Sequence, residues 1–523
     1  MTDSNGINRR QFLGGMAILA GATLIPWSNS LQASEIRRKG GKLRISVDQA
    51  VSVLNPLKVR VNPEYLVAEL LYSGLTRLRP DMKVEADLAE SWQANDDLTI
   101  WTFNLRKNLK FHDGSDCNAN DVAASLNAIL DPKTAATGRK NIGPIQSVQA
   151  HDAHTVTITL SQPYADLPIA LAYPSAKIVS AQQLKAGIDS LAQHANGTGP
   201  FKLVSYEPER LIRVEKNPDF YDPNRPHLDG VDVVVYPDST AAGSALISGD
   251  IDLMMAISAD DYQRFQNSQG VKPLRVASGQ FLNINMGCDQ KPFNDVRVRK
   301  ALALAVDREA LLQFVAGGFA TAGNDTPVNA AYQYFAKLAQ RHVDLAQAKS
   351  LLKQAGYANG LDITLVASDK PETRAQLAIA VREMAKPAGF NINVETMAHA
   401  TYLSQVWKKG NFYVGFYNMQ PTVDSIFSLL YTSDAPWNET RWNNAQFDAA
   451  VKAAQKTTDP AKRTQFYATA QQLMHDEIPS VIPTFFDILA AERDYVQGYQ
   501  LHPRGAVFRL DEVWFGKGAP TRS

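Results

Sequence analysis

The sequence predicts a mixed α/β fold with more than one lobe. Segments that alternate apolar and polar residues, as half-buried strands do, recur along the chain, and stretches with helical periodicity lie between them. Interleaved strands and helices favour α/β lobes over a helical bundle or an all-β sandwich. The chain has 523 residues, and a single hydrophobic core rarely grows beyond about 250–300 residues, so at least two lobes are expected.

The individual strands and helices follow from these two periodicities. The clearest predicted strands are residues 42–47, 154–160, 211–215, 231–236, 281–286, 361–367 and 392–397. Each predicted helix follows an N-cap residue: Asn118 or Asn120 precedes 122–130, Asp295 precedes the helix that runs to Val306, and Asp344 precedes 346–355. Gly356 suits the position that ends the last of these helices.

Three segments are predicted to be crossings between lobes. They are the glycine-rich segment 194–200, a turn at Gly279 before the strand at 281–286, and the proline-bounded segment 479–483. Glycine allows positive φ and close backbone approach, and proline prevents a helix from continuing. In a two-lobed protein, the strands at such crossings form the hinge.

The N-terminus has the pattern of an export signal. Arg9 and Arg10 precede a short apolar run over 14–25 that is rich in Gly and Ala, an arrangement that resembles twin-arginine signals. The alternative, a membrane anchor, is disfavoured because the run is shorter than the roughly 20 apolar residues that a bilayer requires. We expect residues 1–33 to be removed, with cleavage after 28–30 or after Ala33, and export by the twin-arginine or the general secretory route.

Composition and motif content disfavour several functional classes. The 53 basic and 53 acidic residues leave no net charge, so no excess of positive charge indicates nucleic-acid binding. The sequence has no P-loop and none of the common metalloprotease, esterase or dinucleotide-binding motifs, which lowers the expectation of an ATPase or another enzyme. No cofactor and no metal site are predicted. Cys117 and Cys288 form either one disulfide or two buried thiols.

Several ordered motifs resemble the large solute-binding proteins of ABC importers of the dipeptide, oligopeptide and nickel type, bacterial extracellular solute-binding protein family 5. The motifs are Leu-Ala-Glu-Ser-Trp at 88–92, the segment 101–114 that ends in Phe-His-Asp-Gly, Gly-Thr-Gly-Pro-Phe at 197–201, Asn-Pro-Asp-Phe-Tyr at 217–221, the Ser-Gly-Asp segment 246–252, Pro-Phe-Asn-Asp-Val-Arg at 292–297, and Ala-Gly-Tyr at 355–357. Each motif is weak alone, and the ordered set is specific.

The resemblance implies an α/β, two-lobed periplasmic-binding-protein clamp with an extra subdomain in the first lobe. The first lobe would span 34–283 with its subdomain at about 77–195, the second lobe would span 284–487, and the segment 488–523 would return to the first lobe. The expected protein is a periplasmic monomer without enzymatic activity. It would close around a peptide-like solute, a di- or oligopeptide, and deliver it to an ABC permease in the inner membrane.

The same resemblance indicates residues that would hold the ligand. Peptide binders of this type place an Asp shortly before a Pro to take the α-ammonium group, and the matching position here is Tyr417 or Asn418, so Asp424 is the expected substitute. Its alternative role is the N-cap of the helix at 426–430. Dipeptide binders also use an Arg before a Pro for the C-terminal carboxylate, and this chain has Lys370 there, a point charge without the planar fork of Arg.

A polar loop downstream supplies the remaining candidates. Trp437 and Arg441 lie in 436–443, a segment dense in large amphipathic side chains that suit a binding cleft. Packing between a lobe and this loop is the alternative. Because the expected acidic position is not acidic, an opine, a sugar conjugate or another non-peptide solute stays open beside peptides. Nickel is disfavoured by the absence of a clustered His set, and an exported hydrolase on the same scaffold is the second rival.

Overall fold

The computed structural model describes residues 40–521, apart from the side chain of Gln193, so the predicted export signal at 1–33 lies outside the described residues. The strands are β1 (Lys42–Val47), β2 (Thr76–Leu78), β3 (Val84–Ala86), β4 (Ala89–Ala94), β5 (Ile100–Leu105), β6 (Ile145–Ala150), β7 (Thr155–Leu160), β8 (Phe201–Glu207), β9 (Leu211–Lys216), β10 (Gly230–Val235), β11 (Leu253–Met254), β12 (Val271–Met286), β13 (Ala320–Ala322), β14 (Leu361–Ser368), β15 (Phe390–Met397), β16 (Phe412–Tyr417), β17 (Ser480–Arg493), β18 (Val496–Gln497) and β19 (Trp514–Phe515).

Helices lie between these strands through most of the chain. They are α1 (Asn62–Leu71), α2 (Ala119–Leu130), α3 (Leu167–Ala170), α4 (Ala181–Ala186), α5 (Ser190–Gln193), α6 (Ser239–Ser248), α7 (Ala259–Gln266), α8 (Val296–Ala305), α9 (Arg308–Ala316), α10 (Leu345–Gln354), α11 (Thr373–Ala385), α12 (His399–Gln405), α13 (Val423–Leu430), α14 (Ala445–Gln455) and α15 (Pro460–Glu477). Short 3-10 turns occur at Pro132–Thr134, Lys386–Ala388 and Leu510–Glu512. The α/β prediction is confirmed.

Each strand predicted from periodicity is present, and the predicted caps close the helices. Asn118 caps α2 in a reciprocal pair with Asp121. Asp295 and Asp344 accept hydrogen bonds from the first turns of α8 and α10. Gly356, just beyond α10, has a φ of 97°, a conformation that glycine adopts at little cost. These features are local, which is why the sequence was sufficient to predict them.

A large mixed sheet connects the described residues. Its eleven strands run in the order β15-β14-β16-β12-β17-β11-β1-β10-β9-β8, and β13 pairs with β17 off this path. A separate antiparallel sheet has the order β4-β5-β7-β6, and its residues lie inside the predicted subdomain at 77–195. No helix within residues 40–521 combines the length and apolar character needed to cross a membrane.

The two longest strands, β12 and β17, join the two halves of the large sheet. The first part of β12 pairs with the end of β17, and that end of β17 also pairs with β11. The last part of β12 lies between β17 and β16 and pairs with both. The predicted turn at Gly279 is wrong, because the strand continues through it with a register shift between Ala277 and Gln280. A Cβ on Gly279 would lie 2.5 Å from the Tyr332 ring and 2.8 Å from Cγ of Met419, so close packing explains the glycine.

Separate hydrophobic cores lie on the two sides of these long strands. One core contains residues from 43 to 253 together with residues from the C-terminal segment, among them Tyr495, Phe508 and Phe515. A second core packs α8, α10 and α11 against β14–β16. A third core packs α13–α15 together with Leu78, Met82 and parts of β12 and β17, so it includes residues from both halves. Cys117 and Cys288 are both free thiols, so the disulfide alternative is wrong.

Candidate functional site

A cleft of about 1090 Å³ lies between two walls that are distant in sequence. One wall consists of residues between 132 and 173, and the other consists of residues between 374 and 455. Pockets for small molecules usually enclose about 300–1,000 Å³. The cleft therefore has room for a solute as large as a short peptide, in contact with both walls.

The first wall includes the loop that follows the turn at Pro132–Thr134. Thr137 fixes this loop, because its amide donates to Leu57 O at 3.0 Å and its hydroxyl donates to Val59 O at 2.9 Å. The next part of the loop presents Arg139 and Lys140, both exposed, to the cleft. This wall therefore contributes positive charge that is exposed to water and screened by it.

Sheet topology brings the second wall together. Strands β14 and β16 are parallel, with Val366 opposite Tyr413, so their carboxyl ends lie at the same edge of the sheet. Tyr417 ends β16, helix α11 with Arg374 follows β14, and helix α12 with Tyr402 follows β15. Crevices beyond the carboxyl ends of strands are the usual ligand sites of open α/β sheets. The second wall occupies this position.

Aromatic side chains cover the centre of the second wall. The Trp407 and Trp437 ring centroids lie 5.5 Å apart, edge to face, and Trp437 lies 6.3 Å from the Tyr417 ring. The Trp407 indole N–H donates to the Tyr417 hydroxyl at 3.3 Å. Such side chains offer a large apolar area together with polar edges, so this group suits a solute that has both characters.

Glu439 is a buried acid beneath these aromatic rings. It is 3% exposed, and its two carboxylate oxygens accept hydrogen bonds from the Tyr417 hydroxyl and from Asn285 Nδ2. Burial raises the pKa of Glu439 from 4.5 to about 7, although the hydrogen bond from Tyr417 opposes that rise. The site therefore holds a carboxyl group that keeps its proton to a much higher pH than an exposed glutamate does.

Asp424 is a second buried acid in the cleft. It is 2% exposed, and its Oδ1 accepts hydrogen bonds from Gln455 Nε2 at 2.8 Å and from the Ser428 hydroxyl at 3.3 Å. Burial and the charge of Asp166 raise the pKa of Asp424 to about 7. The alternative role of Asp424 as an N-cap is wrong, because Thr422 caps α13 and Asp424 lies in the first turn.

Four of the six predicted site residues line the cleft. They are Tyr417, Asn418, Asp424 and Trp437. Asn418 is exposed, and its Oδ1 accepts a hydrogen bond from Gln280 Nε2 at 2.7 Å. Their roles toward a ligand stay predictions.

The other two predicted residues do not line the cleft. Lys370 is exposed between β14 and α11. Arg441 has a positive φ of 52°, and it is absent from the lining of the cleft. Its guanidinium contacts Asp289 at 2.7 Å, Gly410 O at 3.1 Å and Asn411 at 3.2 Å. Arg441 therefore packs the loop against neighbouring residues, which was the alternative to a role in ligand binding.

Most of the residues that line the cleft were not selected from the sequence, among them Arg374, Trp407 and Glu439. Glu439 lies two residues after Trp437, and Arg374 lies four residues after Lys370, so both were near predicted positions. No local pattern signalled them, because their burial depends on contacts with β12, α12 and β16. Within residues 40–521, no group of three or more His, Cys, Asp or Glu side chains is placed to hold a metal ion.

Comparison with known proteins shows consistent similarity over most of the chain. The family model described as "Bacterial extracellular solute-binding proteins, family 5 Middle" matches residues 83–441. The glutathione-binding protein GsiB of Escherichia coli O1:K1 / APEC is 28% identical over 502 residues, which cover 94% of this chain and 96% of GsiB.

Solved structures share the fold. AgaA from A. tumefacien R10, solved in complex with agropinic acid, is 26% identical with a TM-score of 0.74, covering 91% of this chain and 99% of AgaA. HbpA2 from Haemophilus parasuis is 24% identical with a TM-score of 0.83, covering 91% of this chain and 100% of HbpA2. The predicted two-lobed binding-protein fold is confirmed by these likenesses.

Proposed function

The chain belongs to family 5 of the bacterial extracellular solute-binding proteins, which are receptors of ABC importers, and we propose that it captures a short peptide-like solute in its cleft. Members of this family bind and transport substrates, so the protein is a receptor and not an enzyme, and the hydrolase rival is set aside. The observation that carries the proposal is the cleft itself. It joins two buried acids, a buried guanidinium and an aromatic surface between two separate walls.

The chemistry of the second wall favours a solute with both charge and apolar surface. Asp424 and Glu439 offer negative charge to an ammonium group, and Arg374 offers positive charge to a carboxylate. Between them, Trp407 and Trp437 provide area for apolar side chains. A peptide or a peptide-like conjugate carries all of these groups, whereas a neutral sugar offers no opposite charge to the acids or to the guanidinium.

Two relatives indicate the range of solutes to test. GsiB is named for glutathione, a tripeptide, and AgaA was solved with agropinic acid, which is an opine. Short peptides such as glutathione are therefore the leading candidate class of solute for this chain. An opine is the second candidate, supported by the 26% identity with AgaA and by the lack of an acid at 417 and 418, where peptide binders of this type are expected to have one.

The division into lobes belongs to the same proposal. The first lobe would comprise 34–283, with its subdomain at 77–195, and the C-terminal segment 488–523; the second would comprise 284–487. Two of the hydrophobic cores, the one around 43–253 and the one of α8, α10 and α11, support this division, and so does the position of β12 and β17 between them. Bending of these two strands would close the walls on the solute, and contacts from both walls would favour the closed state.

Export and partnership complete the proposal. Residues 1–33 would direct the protein to the periplasm by the twin-arginine route, where it would act as a monomer with an inner-membrane ABC permease. Replacing Arg9 and Arg10 with Lys in a fusion of residues 1–33 to a reporter should abolish export. Export that continues at the wild-type rate would indicate the general secretory route.

A thermal-shift screen of the mature protein, residues 34–523, tests the solute class. The panel contains glutathione, di- and tripeptides, agropinic acid and neutral sugars. A solute at about 100 times its Kd adds roughly 2.7 kcal/mol to the free energy of unfolding, which raises the melting temperature by a few degrees. Shifts with glutathione or peptides support the proposal, shifts with agropinic acid alone replace peptides by opines, and shifts with sugars alone contradict both.

A further inference from the structure

Glu439 collects hydrogen bonds from two strands behind the aromatic surface of the cleft. One of its oxygens accepts from the Tyr417 hydroxyl at the end of β16, and the other accepts from Asn285 Nδ2 on β12. Both of these partners are neutral groups, although the carboxyl is only 3% exposed. Burying a carboxyl beside neutral groups is costly, so its presence indicates a role that a neutral side chain does not fill.

The hydrogen bonds around Glu439 all run in one direction. The Trp407 indole N–H can only donate, and it donates to the Tyr417 hydroxyl at 3.3 Å, so that hydroxyl directs its own proton to Glu439. On the other side, Asn283 Nδ2 donates to Asn285 Oδ1 at 2.7 Å, which leaves Asn285 Nδ2 to face Glu439. The donors of both sides therefore converge on one acceptor.

Position 439 requires a carboxylate because two donors meet there. A glutamine offers one acceptor and one donor group, so either Tyr417 or Asn285 would face an N–H group. A buried donor that loses its acceptor costs more than the hydrogen bond contributed. Burial raises the pKa of Glu439 to about 7, and hydrogen bonds from Tyr417, Trp407 and Asn285 oppose that rise, which agrees with the convergence of donors on this group.

Strand β16 leaves room for the two asparagine side chains. Gly415 lies opposite Asn283 in the register of β12 and β16. A Cβ on Gly415 would lie 2.4 Å from Asn283 Oδ1 and 3.0 Å from Asn285 Nδ2, so a larger residue would displace the pair. The glycine therefore allows the chain of hydrogen bonds to continue from Glu439 into β12, one of the two strands that join the halves of the sheet.

We infer that Glu439 is a positioning residue, which acts through Tyr417 to fix the two cleft tryptophans for an apolar group of the solute. The inference rests on the proposed function, and it names what holds the aromatic surface in place. Trp407 lies edge to face with Trp437 at 5.5 Å, so fixing the first ring also fixes the second. Rings that are held before the solute arrives lose less conformational entropy on binding. The oxygens of Glu439 stay within the fold, and its charge acts on the solute only at a distance.

The first test reads the geometry of the tryptophan pair in the unliganded protein. Two indole rings this close couple electronically, and the change in far-ultraviolet circular dichroism on Trp437→Phe, measured in each background, isolates the signal of the pair. Glu439→Gln should lose most of this signal, because one donor loses its acceptor. Tyr417→Phe keeps the ring but removes the hydroxyl, and it should lose the signal in the same way.

Glu477 offers a matched control for Glu439. It also accepts from a tryptophan and an asparagine, namely Trp442 Nε1 at 2.7 Å and Asn444 Nδ2 at 2.8 Å. None of these three residues lines the cleft. Glu477→Gln should therefore keep the full signal of the tryptophan pair.

A reversed pair separates positioning from a direct effect of the charge at 439. In Glu439→Gln combined with Asn285→Asp, the amide at 439 accepts from Tyr417 and donates to the carboxylate at 285, which also accepts from Asn283 Nδ2. Every donor then has an acceptor again, although the charge has moved from the loop to β12. The double variant should regain the signal that Glu439→Gln lost.

Calorimetry with two tripeptides connects this geometry to binding. The wild type should bind Gly-Phe-Gly about 10-fold more tightly than triglycine, because the phenyl group packs on the tryptophan rings. Glu439→Gln should lose this preference, and the double variant should regain it.

Three results would each overturn the inference. They are a full dichroism signal in Glu439→Gln or Tyr417→Phe, an equal loss in Glu477→Gln, and no recovery in the double variant. If the wild type binds neither tripeptide, the peptide proposal fails, and the dichroism of the unliganded variants still decides the role of Glu439.

Discussion

Arg463 and Asp166 form a buried ion pair, with Nη1 of the arginine 2.6 Å from Oδ1 of the aspartate. Their side chains are 7% and 3% exposed. Beside the pair, the Ala165 amide donates to Gln455 O at 3.0 Å. Together these contacts tie the loop between β7 and α3 to helices α14 and α15. They therefore connect the two walls of the cleft at one end.

Removing one partner of this pair should strongly destabilise the protein. Arg463→Met leaves Asp166 buried without a countercharge, and breaking a buried pair in this way costs about 3–5 kcal/mol of unfolding free energy. Urea unfolding measures the loss. The matched control is Arg382→Met, which removes an exposed arginine paired with Glu383 and should cost less than about 1 kcal/mol. Similar losses of unfolding free energy in Arg463→Met and Arg382→Met would show that the pair of Arg463 and Asp166 contributes little to stability.

The stability of the unliganded protein should depend on the protonation of Glu439. Its pKa is raised from 4.5 in the unfolded chain to about 7 in the folded one, so the folded state binds the proton more tightly. Protonated Glu439 therefore contributes its full share to the free energy of unfolding below about pH 4.5, and this contribution is lost as the pH rises through 7. Glu439→Gln is neutral throughout and should not show this loss.

Urea unfolding at pH 4.5 and pH 8 checks this prediction. From pH 4.5 to pH 8, the unfolding free energy of Glu439→Gln should rise by up to about 3 kcal/mol relative to that of the wild type, since one pKa unit corresponds to about 1.4 kcal/mol. Glu209→Gln, at an exposed position, is the control and should leave the pH dependence as it is. A difference between wild type and Glu439→Gln that stays constant with pH would contradict the prediction.

Asp424 should bind the ammonium group of a peptide in a pH-dependent way. Only the ionised carboxyl forms a charge-assisted bond, and its pKa is raised to about 7 by burial and by Asp166. The affinity of the wild type for trialanine should therefore increase from pH 5.5 to pH 7, a range in which the α-ammonium group, with a pKa of about 7.7–8.0, stays mostly protonated. Asp424→Asn should weaken binding at pH 7 by roughly 1.5–3 kcal/mol, the range for hydrogen bonds to charged groups.

Calorimetry at the two pH values measures both effects. Asp434→Asn is a suitable control, because Asp434 also lines the cleft but is exposed. The loss of affinity in Asp434→Asn should be smaller than in Asp424→Asn. Unchanged affinity in Asp424→Asn would reduce the role of Asp424 to its hydrogen bonds with Ser428 and Gln455.

Solute binding should change the intrinsic fluorescence of the tryptophan pair. Trp407 and Trp437 line the cleft with ring centroids 5.5 Å apart, so a solute packed on them alters their environment. Trp437→Phe should reduce the fluorescence change on addition of glutathione and weaken binding by about 1 kcal/mol. Trp92→Phe, next to Phe103 and outside the cleft, should retain the full change. An equal loss in both variants would place the solute elsewhere.

Local patterns in the sequence were sufficient for much of the fold. The caps at Asn118, Asp295 and Asp344 and the strand at β14 depend on residues within a few positions of one another, and all were predicted. Local signals failed where distant pairing decides the conformation. Gly279 suggested a turn, but pairing of β12 with β17 on both sides keeps the chain extended there.

The residues of the cleft also differ in how far the sequence alone could identify them. The family pattern and the aromatic loop are readable in order along the chain, and they led to Tyr417, Asn418, Asp424 and Trp437, which line one cleft. The sequence could not distinguish exposed Lys370 from buried Arg374, since the two lie in one short polar segment. The burial of Arg374 depends on Tyr402 and Phe416, which other elements supply.

The sequence by itself determined the class of fold, the family and the positions of most strands and helices, because periodicity, capping and ordered motifs act over short stretches of chain. The tertiary structure alone decided which charged groups face the cleft. Arg374, Glu439 and Asn285 meet at one wall although they are widely separated in sequence. Whether a charge is buried, paired or free to meet a solute depends on neighbours that only the folded sheet brings together.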